Sequence, residues 1–461
     1  MLTANRTNRA AVRSGTRADV LTALAGLALF ALAAVVGAAL MAGGDGVHPL
    51  LLDWPPLLAR WSPHTGPGTA AAALVGFAVV VYGPAPAARL GWRALLAAVW
   101  AASLAWLWSL ALIDGWDRGV AGQLTTGSEY LSDGLGRWQD VGAALRTFTD
   151  YIPFDSAPDN WPVHIAGHPP GMMLTLVALD RIGLGGGLWA VVFVLTAAGS
   201  AAVAVLVALR ALGAEALARR AAPFVVLAPW AVWAGVSADG YFAAAGAWAL
   251  ALLALAAGRA VRWPWLAGLG AGLLLGWCLY LSYGLALLAL PALGVLWAAG
   301  TLRPVGWVLA GAAVVVAGFT AGGFWWVEGY RVLHERYYAG AAGYRPYGYF
   351  VWANLACVVA SAGLASLAGV RRAVVAVVRA GAGGLRRPPD AVVAVVLSAV
   401  LAILVADLSG MSKAETERIW LPFTLWLLPA CALLPRAGSR WWLAVQGVVA
   451  FTVNSLWITG W

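Results

Sequence analysis

The sequence predicts an all-α fold, a polytopic bundle of membrane-spanning helices. Three observations carry that prediction. The 461 residues are 62% hydrophobic, with a mean hydropathy of +0.81, whereas soluble domains use roughly 45–50% apolar residues. Only 11% of residues are charged, and they cluster between apolar runs long enough to cross a hydrocarbon core of ~30 Å. Those runs are Ala, Leu and Val stretches without period-2 alternation, which excludes a barrel; helices satisfy their own backbone where no water can. The 27 Trp and 55 Gly fit interfacial aromatic belts and close helix contacts.

Residues 1–88 hold two spans, near 20–42 and 69–88. Arg6, Arg9, Arg13 and Arg17 precede the first, which is too long for a signal-peptide core. Residues 89–435 form the transmembrane core, with spans near 94–113, 187–212, 220–236, 239–258, 263–281, 284–300, 304–325, 349–370, 391–407 and 418–435. Residues 436–461 add a last span near 440–458. That makes thirteen crossings, with the N-terminus cytoplasmic and the C-terminus outside. The helix opening at Pro169 runs about fourteen residues to the Gly185–Gly187 break, too short to cross, and reads as re-entrant or interfacial.

Charge sorting supports this topology. Of the 29 basic residues, 19 fall on the cytoplasmic side, as the positive-inside rule requires. The acids played no part in placing the spans, yet 17 of 20 fall outside, with His48, His64, His164, His168 and His334. Making the 170–184 helix a full crossing would turn Arg371, Arg372, Arg379, Arg386 and Arg387 outward. The expected location is therefore the plasma membrane, with an extracytoplasmic working surface and membrane lipids as neighbours. The net charge of +9 is spread through short loops, which argues against a nucleic-acid partner. Cys278, Cys357 and Cys431 lie in apolar runs and read as packing residues.

Titratable side chains concentrate in three outer segments, 114–171, 326–348 and 408–418. The first has 58 residues, and loops beyond ~12–15 residues are usually functional. Within it, 136–148 reads as an amphipathic helix lying on the membrane. Asp114 and Asp117 stand at the exit of the third span, where partial desolvation makes a carboxylate a better base; they equally suit simple span termination. His168, Pro169, Pro170 and Gly171 preorganise a helix start whose N–H groups and partial positive charge suit a phosphate. His164 and His168, four apart, could hold a divalent cation or serve as hydrogen-bonding groups. No cofactor is otherwise indicated. Asp239 borders an apolar pair of spans, where ionisable residues mark function or where Asp-Gly makes a turn. Arg345 and Tyr347 belong to an ordered Arg-Pro-Tyr, and Arg418 begins a span where it could pair with Glu415, bind a lipid phosphate or snorkel.

In order and spacing these residues resemble the GT-C class of polyprenyl-phosphate-sugar-dependent glycosyltransferases, which includes mannosyl- and arabinofuranosyltransferases. The resemblance covers roughly 94–425: a span ending in an acidic loop (Asp114, Asp117), His168-Pro169-Pro170 opening a short helix, Asp239 at a later helix pair, and Arg418 at a distal span start. Two departures stand beside it: two spans precede the core, and Leu281-Ser282-Tyr283-Gly284 lacks the Lys often found there in mannosyltransferases. The resemblance implies inverting transfer of a sugar from a polyprenyl-phosphate donor to a hydroxyl of a glycan, lipid or protein acceptor. Asp114, or else Asp117, would be the general base, with Arg418, Arg345 and His168 at the departing phosphate and Asp239, His164 and Tyr347 lining the site. A transporter or flippase, and another membrane transferase such as an acyltransferase or polysaccharide polymerase or ligase, are the competing readings.

Overall fold

The structure, a computed structural model, describes residues 2–42, 50–235, 237–385 and 390–459. His48, Arg386 and Arg387, assigned to faces above, lie outside the described residues. The longer helices are α1 (Leu2–Ala42), α2 (Thr69–Tyr82), α3 (Trp92–Ala111), α4 (Gly171–Arg181), α5 (Gly187–Ala211), α6 (Glu215–Val226), α7 (Ala238–Ala257), α8 (Pro264–Leu281), α9 (Ala289–Ala299), α10 (Val305–Ala321), α11 (Trp326–Ala339), α12 (Tyr347–Ala362), α13 (Leu364–Leu385), α14 (Ala391–Leu408) and α15 (Ser439–Leu456). The described sheet is one short ribbon in which Ala59–Trp61 pairs antiparallel with Trp457–Thr459.

Among the described residues, six helices are long and apolar enough to cross a membrane, or up to eight if each of two bent pairs is one span. Several of the other expected crossings fall on shorter, proline-broken pieces. The 220–236 run is α6, with Pro223 inside it, followed by a separate turn at Ala231–Ala234. The 418–435 run is divided into Thr416–Ile419, Leu421–Thr424 and a 3-10 stretch, Leu425–Leu433, that contains Pro429. Proline removes a backbone donor and blocks the preceding turn, so an apolar run need not be one helix.

The 349–370 run is also not continuous, because α12 and α13 meet at Gly363 with a bend of 110°. Gly363 has φ +80°, and Gln446 of α15 occupies the space a Cβ would need. Gln446 is fully buried; its Nε2 donates to the Ala362 carbonyl at 2.9 Å and its Oε1 accepts from the Ala365 N–H at 3.2 Å. One side chain thus satisfies backbone groups that the bend removes from the helical ladder. Gln446→Leu is expected to cost about 3 kcal/mol by orphaning both groups. Melting in detergent checks this, and an unchanged transition would show that the strap contributes nothing.

Polar contacts between loops fall into two groups. In one, Asp19 pairs with Arg371 and Arg372, Arg219 donates to the carbonyls of Ala87 and Leu90, and Arg220 donates to that of Leu434. In the other, His64 meets Asp114, Arg118 reaches the Thr459 carbonyl, and Arg345 reaches Leu50 and Lys413. Residues far apart in the chain meet within each group.

The outer segment folds on the protein. Residues 136–148 are not one surface helix; they form a 3-10 turn, Gly136–Trp138, and a short helix, Val141–Arg146, capped by Asp140 Oδ1 accepting from Ala143 N–H at 2.9 Å. Trp138 and Phe148 are buried against Trp161, and Phe148 meets Phe324 edge-on at 5.5 Å. The apolar stripe covers protein where the sequence pattern alone would equally allow lipid. Arg336 of α11 locks the layer down, donating to the carbonyls of Ile152 at 2.5 Å and Trp161 at 3.0 Å. Burial of the three cysteines bears out their reading as packing residues.

Candidate functional site

A buried charge network joins segments 114–171 and 408–418 to α7, an apolar helix long enough to cross a membrane. Asp239 lies in the first turn of α7, where the helix dipole favours an anion, and it is 3% exposed. Arg418 comes from the short Thr416–Ile419 helix. Its Nη1 donates to Asp239 Oδ2 at 2.5 Å and its Nη2 to Glu415 Oε2 at 3.0 Å. Glu415 is placed by left-handed backbone at φ +63°, preceded by Ala414 at +74°, so the turn carries two non-glycine residues in an unfavourable region. Strain of this kind persists where the surroundings over-determine it, here by two ion pairs of Glu415, to Arg418 and Arg345.

His164 extends the network. Its Nε2 lies 3.5 Å from Arg418 Nη2 and its Nδ1 lies 2.9 Å from Glu129 Oε1. A guanidinium only donates, so Nε2 faces Arg418 as an acceptor, while Nδ1 stands in ion-pair range of Glu129. Glu129 was not singled out in the sequence, and neither was Tyr130. The Tyr130 ring lies 5.9 Å from both His164 and His168, and burial, then Asp239 and Glu129, push its hydroxyl well above the usual tyrosine range. Burial combined with opposing carboxylates keeps that hydroxyl a neutral donor.

His168 is packed between Tyr130 and Phe242, and its Nδ1 is 2.8 Å from the His164 carbonyl. Burial lowers its pKa to about 4. It is therefore neutral at pH 7 and holds the turn before α4 through its one N–H; it supplies no positive charge to a phosphate. His164 and His168 also turn their Nδ1 atoms to different oxygens, of Glu129 and of the His164 carbonyl. No group of three or more His, Cys, Asp or Glu side chains among the described residues is arranged to hold a metal ion.

Arg345 and Tyr347 are clamps. Arg345 donates to the carbonyls of Leu50 at 3.1 Å, Lys413 at 2.8 Å and Leu51 at 3.3 Å, and the Tyr347 hydroxyl donates to that of Leu408 at 3.2 Å. Lys413, the one lysine of the chain, donates from Nζ to Ala342 at 2.8 Å. These bonds tie the 326–348 and 408–418 segments together.

Asp114 belongs to a second cluster. Its Oδ1 is 2.6 Å from His64 Nε2, while His64 Nδ1 is 2.7 Å from the Ser62 carbonyl. Both ring nitrogens thus face oxygens, the carbonyl of Ser62 and the carboxylate of Asp114. Arg118 and Arg60 are close enough to interact electrostatically, with burial foremost in lowering the Arg118 pKa and Asp114 raising it. Asp117, in a one-turn π-helix, is exposed. The hydrogen-bond partners of Asp114 and those of Arg418 are different side chains. The loop 117–131 connects them, with Leu131 N–H donating to the Leu124 carbonyl at 3.0 Å.

Glu417 lies next to the first cluster and is fully buried beside the Cys357 thiol; its Oε1 accepts from Leu58 N–H at 3.1 Å. Burial pushes its pKa up to about 7. The folded state thus holds a proton that the unfolded chain releases near 4.5, so this contribution is complete below 4.5 and is lost as pH rises to 7. Glu417→Gln is expected to flatten that fall, worth about 3 kcal/mol at 1.36 kcal/mol per pKa unit. Melting curves of the two proteins between pH 4.5 and 8 would refute this if they ran parallel.

The fold and these clusters define a helical membrane protein with a layered polar face. Comparison of the chain with family profiles, curated proteins and solved structures finds no match.

Proposed function

We propose that the protein transfers a sugar from a polyprenyl-phosphate donor to an acceptor hydroxyl at the outer membrane face, with inversion. The observation that carries this reading is the Asp114–His64 pair at the outer end of α3, flanked by Arg118 and Arg60. In its imidazolium–carboxylate form the pair leaves Asp114 Oδ2 to take the acceptor's proton. The acceptor oxygen then bonds to the anomeric carbon as the bond to the donor phosphate breaks, its electron pair leaving on the phosphate oxygen. Charge grows on that phosphate, and Arg118 and Arg60 are the adjacent cations that would stabilise it. Here Arg418 and Asp239 take a supporting role, holding the outer loop through His164 and Glu129. The acceptor is a glycan, lipid or protein of the cell envelope.

Proteoliposomes charged with polyprenyl-phosphate sugars test the proposal. Release of polyprenyl phosphate with formation of a new glycoside supports it. Movement of the lipid without a new covalent bond overturns it in favour of a transporter or flippase. That second reading has its own support in the buried Asp239–Arg418–His164–Glu129 chain, since buried ionisable residues in membrane bundles also mark translocation pathways. A polymerase, ligase or acyltransferase would give a different product mass.

A further inference from the structure

On the Arg-rich face, remote from both clusters, an apolar groove of about 430 Å³ opens between α1, α12, α13 and α14. Leu29, Val358, Val359, Ile403 and Leu404 line it, and its polar rim is Arg371. The exposed side of α1 bordering it is aliphatic, with Leu21, Leu24 and Leu27.

The rim is not charge-balanced. Asp19 is fully buried and is gripped by Arg372, whose Nε is 3.0 Å from both carboxylate oxygens and whose Nη2 is 2.6 Å from Oδ2. Arg371 shares the same carboxylate through Nη2, at 2.5 Å from Oδ1, and adds a 3.4 Å bond to the Gly15 carbonyl. One carboxylate thus faces two guanidinium groups. Among the described residues the buried Nε of Arg371 has no acceptor, while the side chain as a whole is 24% exposed. Thr22, at the groove wall, spends its hydroxyl on the Ala18 carbonyl. What the rim lacks is an anionic acceptor, and what the groove below it fits is one hydrocarbon chain.

We propose that this groove is a binding site for one anionic phospholipid, an acyl chain lying between α1 and α14 and the phosphodiester accepting from Arg371. A zwitterionic lipid fills the groove equally well, but its own cation offsets the surplus charge; the site therefore selects an acidic headgroup. Such a lipid would also brace α1 against α13, a contact whose polar part otherwise rests on Asp19.

Native mass spectrometry of the full chain, extracted from vesicles of equimolar phosphatidylglycerol and phosphatidylcholine, tests this. The wild type is expected to retain one phospholipid, with phosphatidylglycerol preferred. Arg371→Gln is expected to reduce that preference about five-fold while retaining phosphatidylcholine, in line with one lost cation at an anionic surface. Leu404→Trp fills the groove from its lipid-facing edge without disturbing Asp19, and is expected to lower retention of both lipids. An unchanged lipid ratio in a folded Arg371→Gln protein overturns the proposal. If that variant does not fold, undiminished retention by Leu404→Trp overturns it alone.

Discussion

Arg418→Met is expected to lower the unfolding free energy by about 4 kcal/mol, because removing one member of a buried ion pair leaves its partner charged in a low-dielectric site. The partners are specific. Asp239 is 3% exposed and meets Arg418 at 2.5 Å, while Glu415 and His164 face the second guanidinium nitrogen. Those two carboxylates, with Glu129, also raise the Arg418 pKa above its usual value against the opposing effect of burial, so the arginine is charged at every accessible pH. The double variant Asp239→Asn, Arg418→Met is expected to recover much of the loss, since a neutral amide costs far less to bury than an orphaned carboxylate. Thermal melts in detergent of the two single variants and the double variant form the measurement. Losses that simply add would show that the two residues do not interact, and would remove the network from the account of the fold.

If the proposed sugar transfer is the activity, Asp114→Asn is expected to lower it about 10²–10⁴-fold, with the melting transition retained. The amide can still hydrogen-bond His64 but cannot accept a proton from the acceptor. His64→Ala is expected to lose less, because the carboxylate survives but is no longer oriented against Ser62. Asp117→Asn is expected to retain activity, given the exposure of that side chain. Transfer measured in proteoliposomes distinguishes these outcomes. Full activity in Asp114→Asn with loss in Asp239→Asn would move the reaction to the Arg418 cluster.

The candidate residues were only partly legible in advance. Asp239, Arg418, His164 and His168 stand out as ionisable groups at span ends, where such residues are costly, and the structure packs them together. Glu129 and His64 carry no such signal. Each lies in an irregular segment, and their partners are 35 and 50 residues distant, so no periodicity links them. Arg345 shows the reverse error: Arg-Pro-Tyr looks like an anion site, but neighbouring backbone carbonyls use the guanidinium first.

What the sequence by itself determined is the helical membrane class. It follows from transfer free energy, which acts on each residue locally and leaves its record in composition and order. What only the tertiary structure decided is where apolar runs break and which charges meet. Gly363 turns the chain through 110° because Gln446, from α15, is there to bond the broken ends. Asp114 faces His64, and Arg418 faces Asp239, because segments distant in the chain come within 3 Å. Burial then makes each pairing obligatory, and that cost depends on neighbours in space that residue order does not name.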